Sequence, residues 1–95
     1  MHAVLIEIDV SGVDPAQGLR VLREQIVPAV SGMPGFQSGP WLPGNEDGKG
    51  LSLTLWDTKA NAEVMAERFG PGSSPAADAS VVRCEVREVA ATLSA

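Results

Sequence analysis

Apolar and polar residues alternate with a period of two over residues 3–10. Val4, Ile6, Ile8 and Val10 fall on one side, and Ala3, Leu5, Glu7 and Asp9 on the other. This is the pattern of a strand covered on one face. "SGVDPAQG" follows with the start signals of a helix. Asp14 can cap it, Pro15 suits the first helical position because no N–H is needed there, and Gln17 sits where a capping box wants it. Leu19, Leu22, Ile26 and Val30 then form one apolar stripe, with Arg20 and Glu24 as an i,i+4 pair outside it. Pro28 interrupts the stripe, so a kink or a weakened last turn is expected there. Ser31–Gly32 closes the helix.

"MPGFQSGPWLP" is apolar but broken by Gly39 and Pro40, which predicts a short or bulged strand at a sheet edge. "GNEDGKG" supplies a hairpin loop longer than two residues. Alternation returns over 50–57, with Leu51, Leu53 and Leu55 on one side and Ser52, Thr54 and Trp56 on the other. Asp57 or Thr58 can cap a second helix, whose apolar face is Ala62, Met65, Ala66 and Phe69. Gly70–Pro71 stops it. "PGSSPAADAS" reads as a polar loop, and its composition suggests a lid over one end of a pocket. A last strand over 81–89 sets Val82, Cys84 and Val86 against Arg83, Glu85 and Arg87. The order β-α-β-β-α-β is the ferredoxin-like split βαβ arrangement, an α+β fold. It places two helices on one face of a four-stranded antiparallel sheet, in a single domain over 1–95. The core spans about 3–89, and the tail 90–95 is weakly patterned. Apolar residues remain on the sheet face away from the helices. A bare apolar sheet face is unusual on a monomer, so the economical expectation is a homodimer packed sheet to sheet.

Composition narrows the function classes. With 44% hydrophobic and 20% charged residues the chain is an ordinary globular domain. Its net charge of −5, with Lys and Arg scattered, argues against nucleic acid and anionic membrane as partners. The start has no signal-peptide pattern, and no apolar run approaches the ~18 residues of a membrane span. One Cys and one His provide neither an internal disulfide nor a structural zinc site, so the reducing cytoplasm is the expected setting.

"MPGF" after the first helix, the "GNEDGKG" hairpin and "LTLWDT" leading into an Ala-rich helix resemble the dimeric α/β barrel superfamily, most closely its antibiotic-biosynthesis-monooxygenase-like domains. The resemblance covers roughly residues 3–89. It implies a homodimeric barrel and brings in cofactor-free monooxygenases of polycyclic phenols, haem-degrading enzymes and members without an assigned role. The haem-degrading branch uses an Asn on the first strand, a Trp late on the third and a His on the second helix. Trp56 matches that Trp, but the first strand has no Asn and "KANAEVMAERF" has no His. These departures argue against haem degradation, and no cofactor or metal is expected.

The candidate pocket is Trp56, Thr54, Met65 and Phe69, between sheet and helices, with Ser52 offering a further hydroxyl. Such a mixture of apolar walls and few polar groups suits a small hydrophobic ligand. The competing reading of Trp56 is a core residue packed near Phe69. Trp41 reads as a loop or edge contact. His2 could serve as a base near neutrality, or end the first strand as a solvated side chain. Glu7, Asp9 and Glu85 form either a carboxylate pair for acid–base work or an ion network with Arg83 or Arg87. Cys84, on an apolar side without an activating neighbour, reads as a small hydrophobe. No catalytic residue can be assigned. Two functions stay open: a cofactor-free oxygenase acting on a hydrophobic, aromatic metabolite, and a non-catalytic ligand-binding or assembly dimer.

Overall fold

A computed structural model describes residues 1–76 and 78–94. The strands are β1 (His2–Asp9), β2 (Phe36–Ser38), β3 (Trp41–Leu42), β4 (Lys49–Trp56) and β5 (Ser80–Glu88). They form one antiparallel sheet in the order β2-β4-β1-β5, with β3 also paired to β4. The helices are α1 (Pro15–Val21), α2 (Val27–Ser31) and α3 (Lys59–Arg68). The central β1–β4 pairing and the outer β5 reproduce the expected ferredoxin-like order. The expected second strand is divided into β2 and β3 at Gly39–Pro40. There the Pro40 carbonyl accepts the Leu53 N–H at 3.2 Å, while proline itself has no N–H to give.

Asp14 caps α1, its Oδ2 accepting the Gln17 N–H at 3.1 Å. Between α1 and α2 the chain makes a π-turn over Leu22–Ile26, closed by the Val27 N–H on the Leu22 carbonyl. Pro28 explains it. A regular helix would drive the proline ring into the carbonyl four residues back, and widening one turn relieves that clash. The expected kink is therefore a π-turn just ahead of the proline. The expected Arg20–Glu24 pair does not form, and Arg20 donates to Gln17 Oε1 at 3.4 Å instead. The extra residue of the following turn rotates Glu24 out of phase with Arg20.

The helix-facing side of the sheet holds the core. Val4 and Ile6 of β1 lie opposite Thr54 and Ser52 of β4, and all four are buried. Trp56 ends the same row. The seemingly polar side of β4 is thus its inner side, and Leu51, Leu53 and Leu55 face away from the helices. On β5 the pairing slips between Glu7 and Ile8, so that Val81 lies opposite Ile8 and Arg83 opposite Glu7. This bulge puts Val81 in the core and leaves Val82, expected inside, 45% exposed.

The "MPGF" segment is a structural joint. Gly35 has φ +81°, and its carbonyl accepts the Asp57 N–H at 3.0 Å, tying the start of β2 to the end of β4. A Cβ at residue 35 would collide with Asp57 Oδ1 and Asn61 Nδ2, which hydrogen-bond to each other at 2.9 Å. Gly35→Ala is therefore expected to cost about 2–4 kcal/mol, combining left-handed backbone strain with loss of that bond. A urea midpoint within error of the wild type would contradict this account.

Candidate functional site

The apolar stripe of the first helical segment meets two environments. Val30 at its far end is fully buried in the core, and Ile26 packs against that core. Leu19 and Leu22 are only half-buried and face a cavity of about 620 Å³ between α1, the sheet and the loop joining β3 to β4. Ile6 and Ile8 of β1 supply its sheet wall, Trp41 one side, and Met65 of α3 with Phe69 just after that helix its inner end. Pro75, Ala76 and Ala79 close another side, so part of the "PGSSPAADAS" loop lies against the cavity. Ala77 of that loop lies outside the described residues. The exposed rim comes from Ser11, Gln17 and the hairpin residues Asn45, Glu46 and Asp47.

The rim is built by short-range hydrogen bonds. Asn45 Oδ1 accepts the backbone N–H groups of Asp47 at 2.9 Å and Lys49 at 3.0 Å, shaping the hairpin around Gly48 at φ +71°. Asp9 Oδ1 accepts the Ser11 hydroxyl at 2.7 Å and its N–H at 2.9 Å, and Lys49 Nζ lies 3.7 Å from Asp9 Oδ2. These hydrogen bonds, with the smaller help of the lysine charge, hold the Asp9 carboxyl below its ordinary range.

Of the four expected pocket residues, Met65 and Phe69 line this cavity, whereas Trp56 and Thr54 lie outside its lining. Trp56 is fully buried, and its ring meets Phe36 edge-on at 5.5 Å between centroids. Its Nε1–H donates to Thr54 Oγ1 at 2.9 Å, so the two polar atoms satisfy each other inside the core. Trp41, read from sequence as an edge contact, is on the cavity wall, 6.3 Å from Phe36 between ring centroids. Its place follows from its register partner Ser52, which lies on the inner side of β4. Ser52 lines the cavity too and is 7% exposed.

The remaining titratable candidates lie elsewhere. His2 stands opposite Trp56, at the far end of β1 from the cavity, with Nδ1 buried and unpartnered. Glu85 pairs with Arg83 as expected, but Asp9 pairs with Lys49 and not with an arginine, so two separate ion pairs stand where one network of Glu7, Asp9 and Glu85 was expected. Burial is the main cause that pushes the Cys84 thiol up, with Glu85 adding to it, which disfavours the thiolate a nucleophile needs. Among the described residues no group of His, Cys, Asp and Glu could hold a metal ion, and no helix is long and apolar enough to cross a membrane.

No family model and no curated protein matches the chain. A crystal structure of an arginine-to-serine mutant of MhuD, with two manganese protoporphyrin IX bound per active site, superposes with a TM-score of 0.61. It is 16% identical, and the match covers 100% of both chains. The chain has the fold of that protein. This supports the ferredoxin-like α+β fold anticipated from the element order.

Proposed function

We propose that the protein is a small monooxygenase-like α/β barrel that takes a hydrophobic, ring-bearing metabolite into the cavity beneath α1, acting as a cytoplasmic homodimer. The observation that carries this reading is the cavity itself. About 620 Å³ lies within the range of small-molecule sites, and its walls are aliphatic and aromatic with a few polar groups. Half-buried Leu19 and Leu22 gain cover when a ligand fills it. A bicyclic aromatic burying ~150–250 Å² would contribute about 4–6 kcal/mol gross. Since association costs subtract from that, the affinity is no tighter than about 40 μM to 1 mM.

Porphyrin is a poor fit for these residues. The described lining contains no His, Cys or Tyr, and its one sulfur donor, Met65, is 2% exposed within the core. A single buried thioether is a weak basis for axial ligation. Glu46 and Asp47 at the rim would also oppose the carboxylates of a porphyrin.

The catalytic form of this reading is a cofactor-free oxygenation. Dioxygen would convert a ring CH₂ of a phenolic or tautomeric substrate to C=O, with both hydrogens leaving in water with the second oxygen atom. Such a step needs a base, and Glu46 and Asp47 are the ionisable side chains of the described lining. Their place on an exposed rim favours binding without turnover over this catalytic form.

Thermal denaturation with 2-naphthol tests the binding. At tenfold excess over Kd the midpoint should rise by about 6–11 °C, from ~1.4 kcal/mol of linkage. Absence of any shift with 2-naphthol and related bicyclic aromatics would refute the cavity reading. Dioxygen uptake with anthrone, compared with a protein-free control, separates turnover from binding.

A further inference from the structure

We infer that the hydroxyl of Ser52 is the specificity-determining anchor of the cavity, selecting a neutral ligand that carries a hydrogen-bonding oxygen at its buried end. The inference rests on the cavity reading above and adds the chemical class of what enters. Ser52 is 7% exposed, yet it lines the cavity, because its side chain leaves the inner side of β4 opposite Ile6. Thr54, two residues along the same row, is also buried, but its hydroxyl is occupied by the Trp56 indole. Ser52 has no such partner among the described residues. Its Oγ is not among the enclosed side-chain atoms without a partner in the described residues, which are His2 Nδ1 and Ser73 Oγ, so the hydroxyl is open to the cavity and available to a ligand's oxygen.

The surroundings define the rest of the ligand. Trp41 lies directly opposite Ser52 in the β3–β4 register and also lines the cavity, so an oxygen at Ser52 sits beside an aromatic wall. The remaining nearby lining is Ile6, Ile8 and Leu22, which can offer a ligand only dispersion and desolvation. A phenol or ring ketone meets these conditions, with its ring against Trp41 and its oxygen donating to or accepting from Ser52. An anionic ligand does not. The described lining has no Lys, Arg or His, and the rim carries Glu46 and Asp47. A carboxylate would be desolvated without a counter-charge.

The experiment titrates three probes, 2-naphthol, 2-methylnaphthalene and 2-naphthoate, into wild type, Ser52→Ala and Ser52→Thr, followed by protein NMR shifts. Wild type should prefer 2-naphthol to 2-methylnaphthalene by about 3- to 10-fold, the worth of one net hydrogen bond. Naphthoate should bind weakest. Ser52→Ala should abolish the preference while leaving 2-methylnaphthalene affinity within about twofold, and Ser52→Thr, which keeps a hydroxyl, should retain it. An Ala variant that still prefers 2-naphthol overturns the anchor while leaving the cavity reading intact. So does naphthoate binding as tightly as 2-naphthol. Failure of all three probes to bind overturns the cavity reading and the anchor together.

Discussion

Trp56→Ala is expected to lower the unfolding free energy by about 3–5 kcal/mol. A domain of this size has on the order of 5–14 kcal/mol in total, so the variant should be marginal at 37 °C. The magnitude follows from what the indole touches. Trp56 is fully buried among Ala62, Met65 and Phe69, and its edge-on contact with Phe36 ties β2 to β4. Truncation leaves a cavity and also deprives Thr54 Oγ1, equally buried, of its donor. Trp56→Phe should cost less, about 1–3 kcal/mol, because most of the volume stays and mainly the N–H to Thr54 is lost. Since Trp56 lies outside the cavity lining, Trp56→Phe should leave 2-naphthol affinity within about twofold. A tenfold loss of affinity at near-native stability would instead make Trp56 a ligand contact. Urea denaturation and the same NMR titration supply both readouts.

The row Ser52, Thr54, Trp56 shows how far alternation carries a sequence reading. Period two correctly places these residues together, but it does not say which side of the strand is inside. The leucines at 51, 53 and 55 would favour the opposite choice on hydropathy alone. The decision comes from pairing, since β1 presents Val4 and Ile6 to the helices and aligns them with Thr54 and Ser52. Caps were legible because they are local: Asp14 and Thr58 act within a few residues of themselves. The bulge at Val82 was not, because it depends on how β5 meets β1.

The α1 wall of the cavity was hidden for a related reason. A helical stripe such as Leu19, Leu22, Ile26 and Val30 announces burial and is silent on whether the cover is protein or ligand. Only the distribution along the helix separates the two. Val30 is fully buried in the core, while Leu19 and Leu22 are half-buried along the cavity. Trp41 was obscured by Gly39–Pro40, which reads as disruption and in fact divides the edge strand so that Trp41 regains the inner side opposite Ser52.

In the proposed sheet-to-sheet homodimer of about 20 kDa, twice the 9.9 kDa chain, Leu53→Glu should leave a monomer at micromolar concentration. Leu53 is 41% exposed on the sheet face away from the helices and lies opposite Leu5 of β1. Leu51 and Leu55 continue the apolar row, whereas β5 carries Arg83, Glu85 and Arg87 on the same face. A second copy would therefore seat over β4 and β1 and leave β5 at the polar rim. Under two-fold symmetry the substitution enters such an interface twice. Each buried, unpaired carboxylate costs several kcal/mol, so the dimer should weaken by at least ~10³-fold. The fold itself should survive, because the charge stays in water when the face is uncovered. Light scattering and urea denaturation together decide the matter. Wild type at 9.9 kDa would refute the sheet-to-sheet dimer outright. Leu53→Glu remaining at twice that mass would place the dimer contact on another surface. A monomeric variant with a wild-type urea midpoint would still need comparison with Arg87→Glu, which lies on the β5 side of the same face. If Arg87→Glu stays dimeric, the leucine row, and not the sheet face as a whole, holds the two copies together.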